Sequence, residues 1–176
     1  EIWISEGRLI LSDEALPGDR LAKTIGRIAQ AGNVGAIFVD YIQRIPWSGE
    51  GRRQLARYEE IKAVSALLLE QAVATDIPII LGAQLGRGQG QGDKKKIRLD
   101  NLRESGDIEN DANTVIGIFN ESVAQMEEDG QEVDSPTVPL EVHLLKRRGG
   151  QAGKKVVLQF DRPILKIKDG SGKGWN

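Results

Sequence analysis

Two apolar runs in this 176-residue chain end in polar side chains that could do chemistry. Ala36-Ile37-Phe38-Val39 runs straight into Asp40, and Ile77–Ala83 (IPIILGA) runs into Gln84. Open α/β sheets bind ligands at the carboxyl ends of their strands, so both residues stand where a ligand would be met. A carboxylate held there can order a Mg²⁺ that bridges the β- and γ-phosphates of a nucleotide, neutralising charge that opposes nucleophilic attack. An amide on the neighbouring strand can donate to a phosphate oxygen and accept from water, and so register whether the terminal phosphate is present. Each residue also has a plainer use: Asp40 could cap a turn or pair with an arginine, and Gln84 could satisfy loop backbone.

Cationic segments supply the complementary chemistry. Gly86–Arg98 (GRGQGQGDKKKIR) is glycine-rich and then basic, with Lys94, Lys95, Lys96 and Arg98 grouped at its end. Such a run is usually a solvated face; leaving a ligand rim, it could also grip the phosphates of a nucleic acid. Leu102–Ala112 (LRESGDIENDA) mixes both signs of charge around Gly106, where exposed backbone N–H groups could hold phosphate. Leu140–Leu145 (LEVHLL) leads into Lys146-Arg147-Arg148-Gly149-Gly150. A guanidinium on such a turn suits phosphate recognition, within a subunit or across an interface, and solvated hairpin charge is the plain alternative. A phosphate-binding loop of the form G-x-x-x-x-G-K-[ST] does not occur in the 176 residues. GGQAGKK (Gly149–Lys155) and GSGKG (Gly170–Gly174) have the wrong glycine spacing and no Ser or Thr after the lysine.

The elements that must position these residues follow from periodicity. Leu21, Ile25, Ile28 and Ala29 recur at helical spacing between Pro17 and Gly32, a helix with a proline start and a glycine stop. Ala36–Tyr41 reads as a strand, Pro46–Arg53 as a loop, and Leu55–Thr75 as the longest helix. Its face carries Tyr58, Ile61, Ser65, Leu68 and Ala72, with Val64 and Leu69 beside it. Ile77–Ala83 is a second strand, apolar on both faces. Strand, helix and strand in this order make a βαβ unit, which implies a parallel sheet covered by helices. Leu9–Leu11 reads as a short strand and Thr114–Phe119 as a third buried one. Glu121–Pro139 is acidic and polar, a surface insertion. Leu140–Leu145, Val156–Phe160 and Ile164–Ile167 read as strands, the last two joined by the turn Asp161-Arg162-Pro163, which suggests antiparallel pairing at one edge. The expected architecture is one α/β domain over residues 1–176, without internal repeat.

Bulk properties narrow the function classes. The net charge of −2 rules out a globally basic nucleic-acid coat but not a local basic groove. With no cysteine, disulfides, thiolate metal sites and cysteine nucleophiles are all excluded. The single His143 argues against a histidine zinc site or a His-dependent triad. No apolar run approaches the ~18 residues of a membrane span, and no signal-like segment opens the chain, so a cytoplasmic setting without membrane contact is expected.

The order VDYIQ, IPIILGAQLGR, LRESGDIENDA and LKRRGG…VVLQFD resembles the hexameric replicative helicases of the DnaB type, in their RecA-like ATPase domain. LRESGDIENDA is the most specific segment, and the resemblance covers Leu9–Ile167. It implies a RecA-like P-loop NTPase core: a mostly parallel central sheet, flanking helices and antiparallel edge strands. It implies ATP and Mg²⁺ as cofactors, with Asp40 as the Walker B aspartate holding the metal through water. Gln84 would couple nucleotide state to the DNA loop. Arg103, Glu104 and Gly106 would contact single-stranded DNA, with Lys94, Lys95 and Lys96 in the adjoining basic loop. Lys146 and Arg148 match a Lys-x-Arg pair that reaches a neighbouring subunit's nucleotide, Arg148 being the arginine finger. The implied partners are single-stranded DNA, five further copies in a homo-hexamer, primase and a helicase loader. Family members carry a phosphate-binding loop and a catalytic glutamate upstream of the part that aligns. The expectation is therefore a carboxyl-terminal portion of an ATP-dependent DNA helicase that does not hydrolyse ATP by itself. The alternative is a non-enzymatic RecA-like module that binds DNA or a helicase ring.

Overall fold

The structure is a computed structural model that describes residues 7, 9–14, 16–47, 55–84, 97, 99, 106–120 and 135–170. They pack as two compact units divided after Gln84.

In the first unit, helix α1 spans Gly18–Ala31 and strand β1 spans Ile37–Val39. Helix α2 spans Arg57–Thr75 and strand β2 spans Ile79–Leu81. Pro17 precedes α1 with φ already fixed near the helical value, and Gly32 ends it at φ 77°, a left-handed position that a side chain would resist. The start of α2 is held by Glu59, whose carboxylate accepts the Ala56 N–H at 2.9 Å. Between β1 and α2 the chain makes a 3₁₀ turn, Ile42–Arg44. Its Ile42 is fully buried, together with Val64 of α2 and Ile25 of α1. Ala22, Ile45, Ile61, Leu68 and Ile77 complete this core. Gly18 is where α1 comes closest to its neighbours: a Cβ there would lie 3.2 Å from Val64 and 3.5 Å from Trp47.

β1 and β2 pair in parallel, with Ile37 opposite Ile79, Phe38 opposite Ile80 and Val39 opposite Leu81. The βαβ expectation therefore holds, with strands shorter than the apolar runs. Burial on both faces does not hold. Phe38 is 74% and Ile80 44% exposed, on the face opposite the half-buried Ile37, Val39, Ile79 and Leu81. Successive side chains of a strand point to opposite faces, so the unit covers one face and leaves the other open. Tyr58, placed by its spacing on the buried face of α2, is 62% exposed because it sits in the first turn, beyond the core residues Ile61 to Leu68. Leu9–Leu11 forms no strand; Ile10 and Leu11 are exposed, without a ladder to bury them.

The second unit holds the short helix α3 (Gly106–Asp111) and four strands. These are β3 (Thr114–Phe119), β4 (Thr137–Arg147), β5 (Lys155–Asp161) and β6 (Lys166–Asp169). They form an antiparallel sheet in the order β3-β4-β5-β6. Thr114–Phe119 is a strand with the bounds the sequence suggests, but not a buried one. Ile116 and Ile118 are exposed, while Gly117 lies against Ile97 and Leu145 so closely that a Cβ would come within 2.6 Å of Ile97. Thr137–Pro139, read as part of an insertion, begins β4, and Val138 is its most buried side chain. Ile164 and Leu165 belong to the turn before β6 and are exposed. Most of the expected loop Gly86–Arg98 and the acidic residues 121–134 lie outside the described residues.

On this sheet Glu141 accepts from Lys155 Nζ at 2.6 Å and meets His143 Nε2 at 2.8 Å. The hydrogen bond from Lys155, and then that from His143, hold its carboxyl below the usual range. A depressed carboxyl pKa contributes stability above the unfolded value, and that contribution is lost as pH falls through the folded one. Glu141→Gln is therefore expected to lower Tm by roughly 2–4 °C at neutral pH. The difference should close as pH drops below about 4, where carboxylates protonate; melting curves across that range check it.

Candidate functional site

In the first unit, parallel pairing sends β1 and β2 out at the same end of the sheet. Asp40 follows Val39 directly and Gln84 lies three residues beyond Leu81. The structure therefore brings these two sequence-selected residues to one rim. Backbone hydrogen bonds continue past the ladder: Gly82 N–H donates to Val39 O at 2.9 Å, and Ile42 N–H to Gly82 O at 2.9 Å. Gly82 lets the chain after β1 pass this close, since a Cβ there would meet Asp40 Oδ1, Tyr41 and Val39 O, each at 3.4 Å. The Asp40–Tyr41 peptide bond is cis.

Asp40 is exposed, and no described cation neutralises its carboxylate. Among the described residues no group of three His, Cys, Asp or Glu side chains could share a metal ion. Among the described residues Asp40 would be the carboxylate available to a Mg²⁺ there, held through water, with phosphate and further water supplying oxygens. Mg²⁺ is commonly held that way beside a nucleotide, so this donor fits the implied ion.

Gln43 is a residue that sequence reasoning passed over. Its Nε2 donates to Gln84 O at 3.0 Å, and its Oε1 accepts the Gln84 N–H at 3.2 Å. The Gln43 carbonyl in turn accepts from Arg57 Nη2, while Arg57 Nη1 pairs with Glu60 at 2.7 Å. The available signal was the motif VDYIQ itself, whose last residue is a long amide three positions after the aspartate. Nothing in the sequence showed that its partner lay 41 residues away.

In the second unit, β4 ends beside α3. Val115 faces Lys146 and Ile116 faces Leu144, so Leu145 is an extra residue, a β-bulge that re-aims the strand end. Lys146 Nζ donates to Glu109 O, and to Asn110 O at 3.2 Å. Arg148 Nη2 donates to the same Asn110 O at 3.0 Å, and Arg148 N–H to Asn113 O at 2.7 Å. The last carbonyls of a helix lack intrahelical partners and carry partial negative charge, so cations are favoured there. The Lys-x-Arg pair and the latter half of LRESGDIENDA, remote in sequence, thus form one contact. Gly106 opens α3. Arg103, Glu104, Lys94, Lys95 and Lys96 lie outside the described residues.

A sequence profile of the DnaB-like helicase C terminal domain matches residues 4–169, spanning both units. The chain belongs to that family. The Replicative DNA helicase DnaC of Bacillus subtilis (strain 168) is 31% identical over 127 residues, covering 72% of this chain and 26% of that protein. The Replicative DNA helicase DnaB of Mycoplasma genitalium is 32% identical over 136 residues, covering 77% of this chain and 28% of that protein. This chain therefore spans about a quarter of the length of these relatives. A solved structure of an ATPase domain aligns with a TM-score of 0.70 at 23% identity, over 90% of this chain and 54% of that one. A DnaB-like replicative helicase, solved in a study of its interactions with primase, aligns with a TM-score of 0.74 at 23% identity, over 96% of this chain and 39% of that one. The fold is the RecA-like α/β fold of these ATPase domains.

The contact between β4 and α3 makes a local prediction. Lys146→Met keeps the aliphatic stem and removes the charge, leaving the Glu109 carbonyl without this donor. It should cost about 1 kcal/mol and speed exchange of the Ala112 amide, which closes on Ile108 O at 3.0 Å. Lys146→Arg should restore both. Unaltered exchange in Lys146→Met would show that the cation does not hold the helix end.

Proposed function

We propose that this chain is the carboxyl-terminal portion of a replicative ATP-dependent DNA helicase that translocates on single-stranded DNA as a homo-hexameric ring. The observation that carries the reading is the emergence of Asp40 and Gln84 at one end of paired parallel strands, in a chain of this family. ATP and Mg²⁺ would bind at that rim, where the ion would supply neutralisation of phosphate charge. Asp40 would hold the ion through water. Gln84, exposed at the same rim, would offer donor and acceptor to whatever occupies the site. Arg148, on an exposed turn, serves as the finger for a neighbouring subunit's nucleotide, accompanied by Lys146. Arg103, Glu104 and Gly106, with Lys94, Lys95 and Lys96, contact the DNA backbone. Primase and a loader are the further partners of this reading, and the setting is cytoplasmic. Among the described residues no helix is long and apolar enough to cross a membrane.

In the full-length natural protein, Arg148→Ala should lower ATP turnover by about 10³-fold or more, with an unchanged far-UV spectrum. Wild-type turnover in that variant would remove the finger role. An inactive wild-type protein that still binds DNA would favour the non-enzymatic module instead.

Single-stranded DNA affinity should fall with salt along a linear log–log plot, with a slope of about −0.7 for each phosphate neutralised. A flat plot would contradict phosphate contacts by the basic segments.

A further inference from the structure

We infer that Gln43 is a positioning residue that sets the place of Gln84 relative to Asp40. The inference rests on the role just proposed for Gln84. Past Leu81 the β2 ladder has ended, and the backbone needs other partners to hold a fixed course. Gly82 still finds Val39 O and the Ile42 N–H. Two residues later, Gln84 has the Gln43 amide on both its N–H and its C=O, at 3.2 Å and 3.0 Å. A single primary amide facing one residue's donor and acceptor mimics a strand partner, and it fixes orientation as well as distance. Gln43 is itself fixed. It lies in the 3₁₀ turn whose Ile42 is fully buried, and its carbonyl is held by Arg57 of α2.

The turn that carries Gln43 begins two residues after Asp40, so the clamp joins the two functional strand ends through one side chain. A shift of Asp40 and its turn would be transmitted to the Gln84 backbone through rigid geometry. A shift of Gln84 would be returned to Asp40 in the same way, since coupling between two sites is reciprocal. Gln84 is exposed, so water can replace the lost partners in a variant. Removal of the Gln43 amide should therefore disturb placement far more than folding.

Two measurements on the full-length natural protein test this. In the wild type, the Gln84 amide should exchange about tenfold more slowly than in Gln43→Ala, while amides within α2 stay unchanged. Equal exchange at Gln84 in the two proteins would overturn the clamp, whatever the protein's activity. The second measurement is the ratio of DNA-stimulated to unstimulated ATP turnover in Gln43→Ala, Gln84→Ala and the double variant. Gln43→Ala should lower the ratio several-fold, and that loss should vanish in the Gln84→Ala background, because a residue acting through another is not additive with it. Losses that add would overturn the inference. Gln43→Glu keeps the acceptor for the Gln84 N–H but sets a carboxylate against the Gln84 carbonyl, so its turnover ratio should fall as in the alanine variant; a wild-type ratio in Gln43→Glu would likewise overturn it. A wild-type protein without DNA-stimulated turnover would count against the proposed helicase, and the exchange measurement would still decide the clamp.

Discussion

Parallel pairing of β1 with β2 is the constraint on which the candidate nucleotide site depends. Each strand contributes three residues, too little for a ladder to stand on its own in water. The pairing is kept by what lies against it. The α2 helix is long enough to return the chain to the same starting edge, and the buried Ile42, Val64 and Leu68 fasten the turn after β1 to that helix. Because both strands then run in one direction, whatever follows them emerges at one rim. An antiparallel arrangement of the same segments would have put Asp40 and Gln84 at opposite ends. The site is thus a consequence of chain direction before it is a consequence of residue type.

Beyond the ladders, side chains take over the work of holding backbone. The Gln43 amide satisfies Gln84, the Glu59 carboxylate satisfies Ala56, and Lys146 with Arg148 satisfy the end of α3. Each such contact is worth about 1 kcal/mol or less, far less than the core supplies in sum. Contacts of that size can be exchanged for others when a charged partner arrives. Arg148 illustrates this: a guanidinium has five donors in a planar fork, and the helix carbonyl engages one edge. Among the described residues the remaining donors meet no other partner and can serve an oxyanion elsewhere. The structural reading of Lys146 and Arg148 as helix-end cations and their proposed role at a neighbouring nucleotide are therefore compatible.

Both units also bear apolar side chains that they do not cover. Phe38 and Ile80 face each other across the parallel pair, and Ile116 and Ile118 share a face of β3. Parallel strands rich in such residues are ordinarily buried on both sides. The runs IFV and IIL have the composition of strands covered twice, and the first unit covers one of their faces.

The sequence by itself determined the two long helices, most of the strands and the family. Helical spacing bracketed by Pro17 and Gly32 located α1, and a run of apolar turns located α2. The motifs VDYIQ, IPIILGAQ, LRESGDIENDA and LKRRGG carried the resemblance that the family match over residues 4–169 bears out. These features are legible because periodicity, helix stops and short motifs are written in neighbouring residues. Tertiary structure alone decided which faces are covered, where Thr137–Pro139 goes, and that Tyr58 and Ile116 stay in water. It alone showed Gln43 on Gln84 and Lys146 on α3, since those contacts join residues 41 and 37 positions apart. A polar side chain declares its chemistry in the sequence; its partner is chosen by the fold that brings distant backbone within about 3 Å.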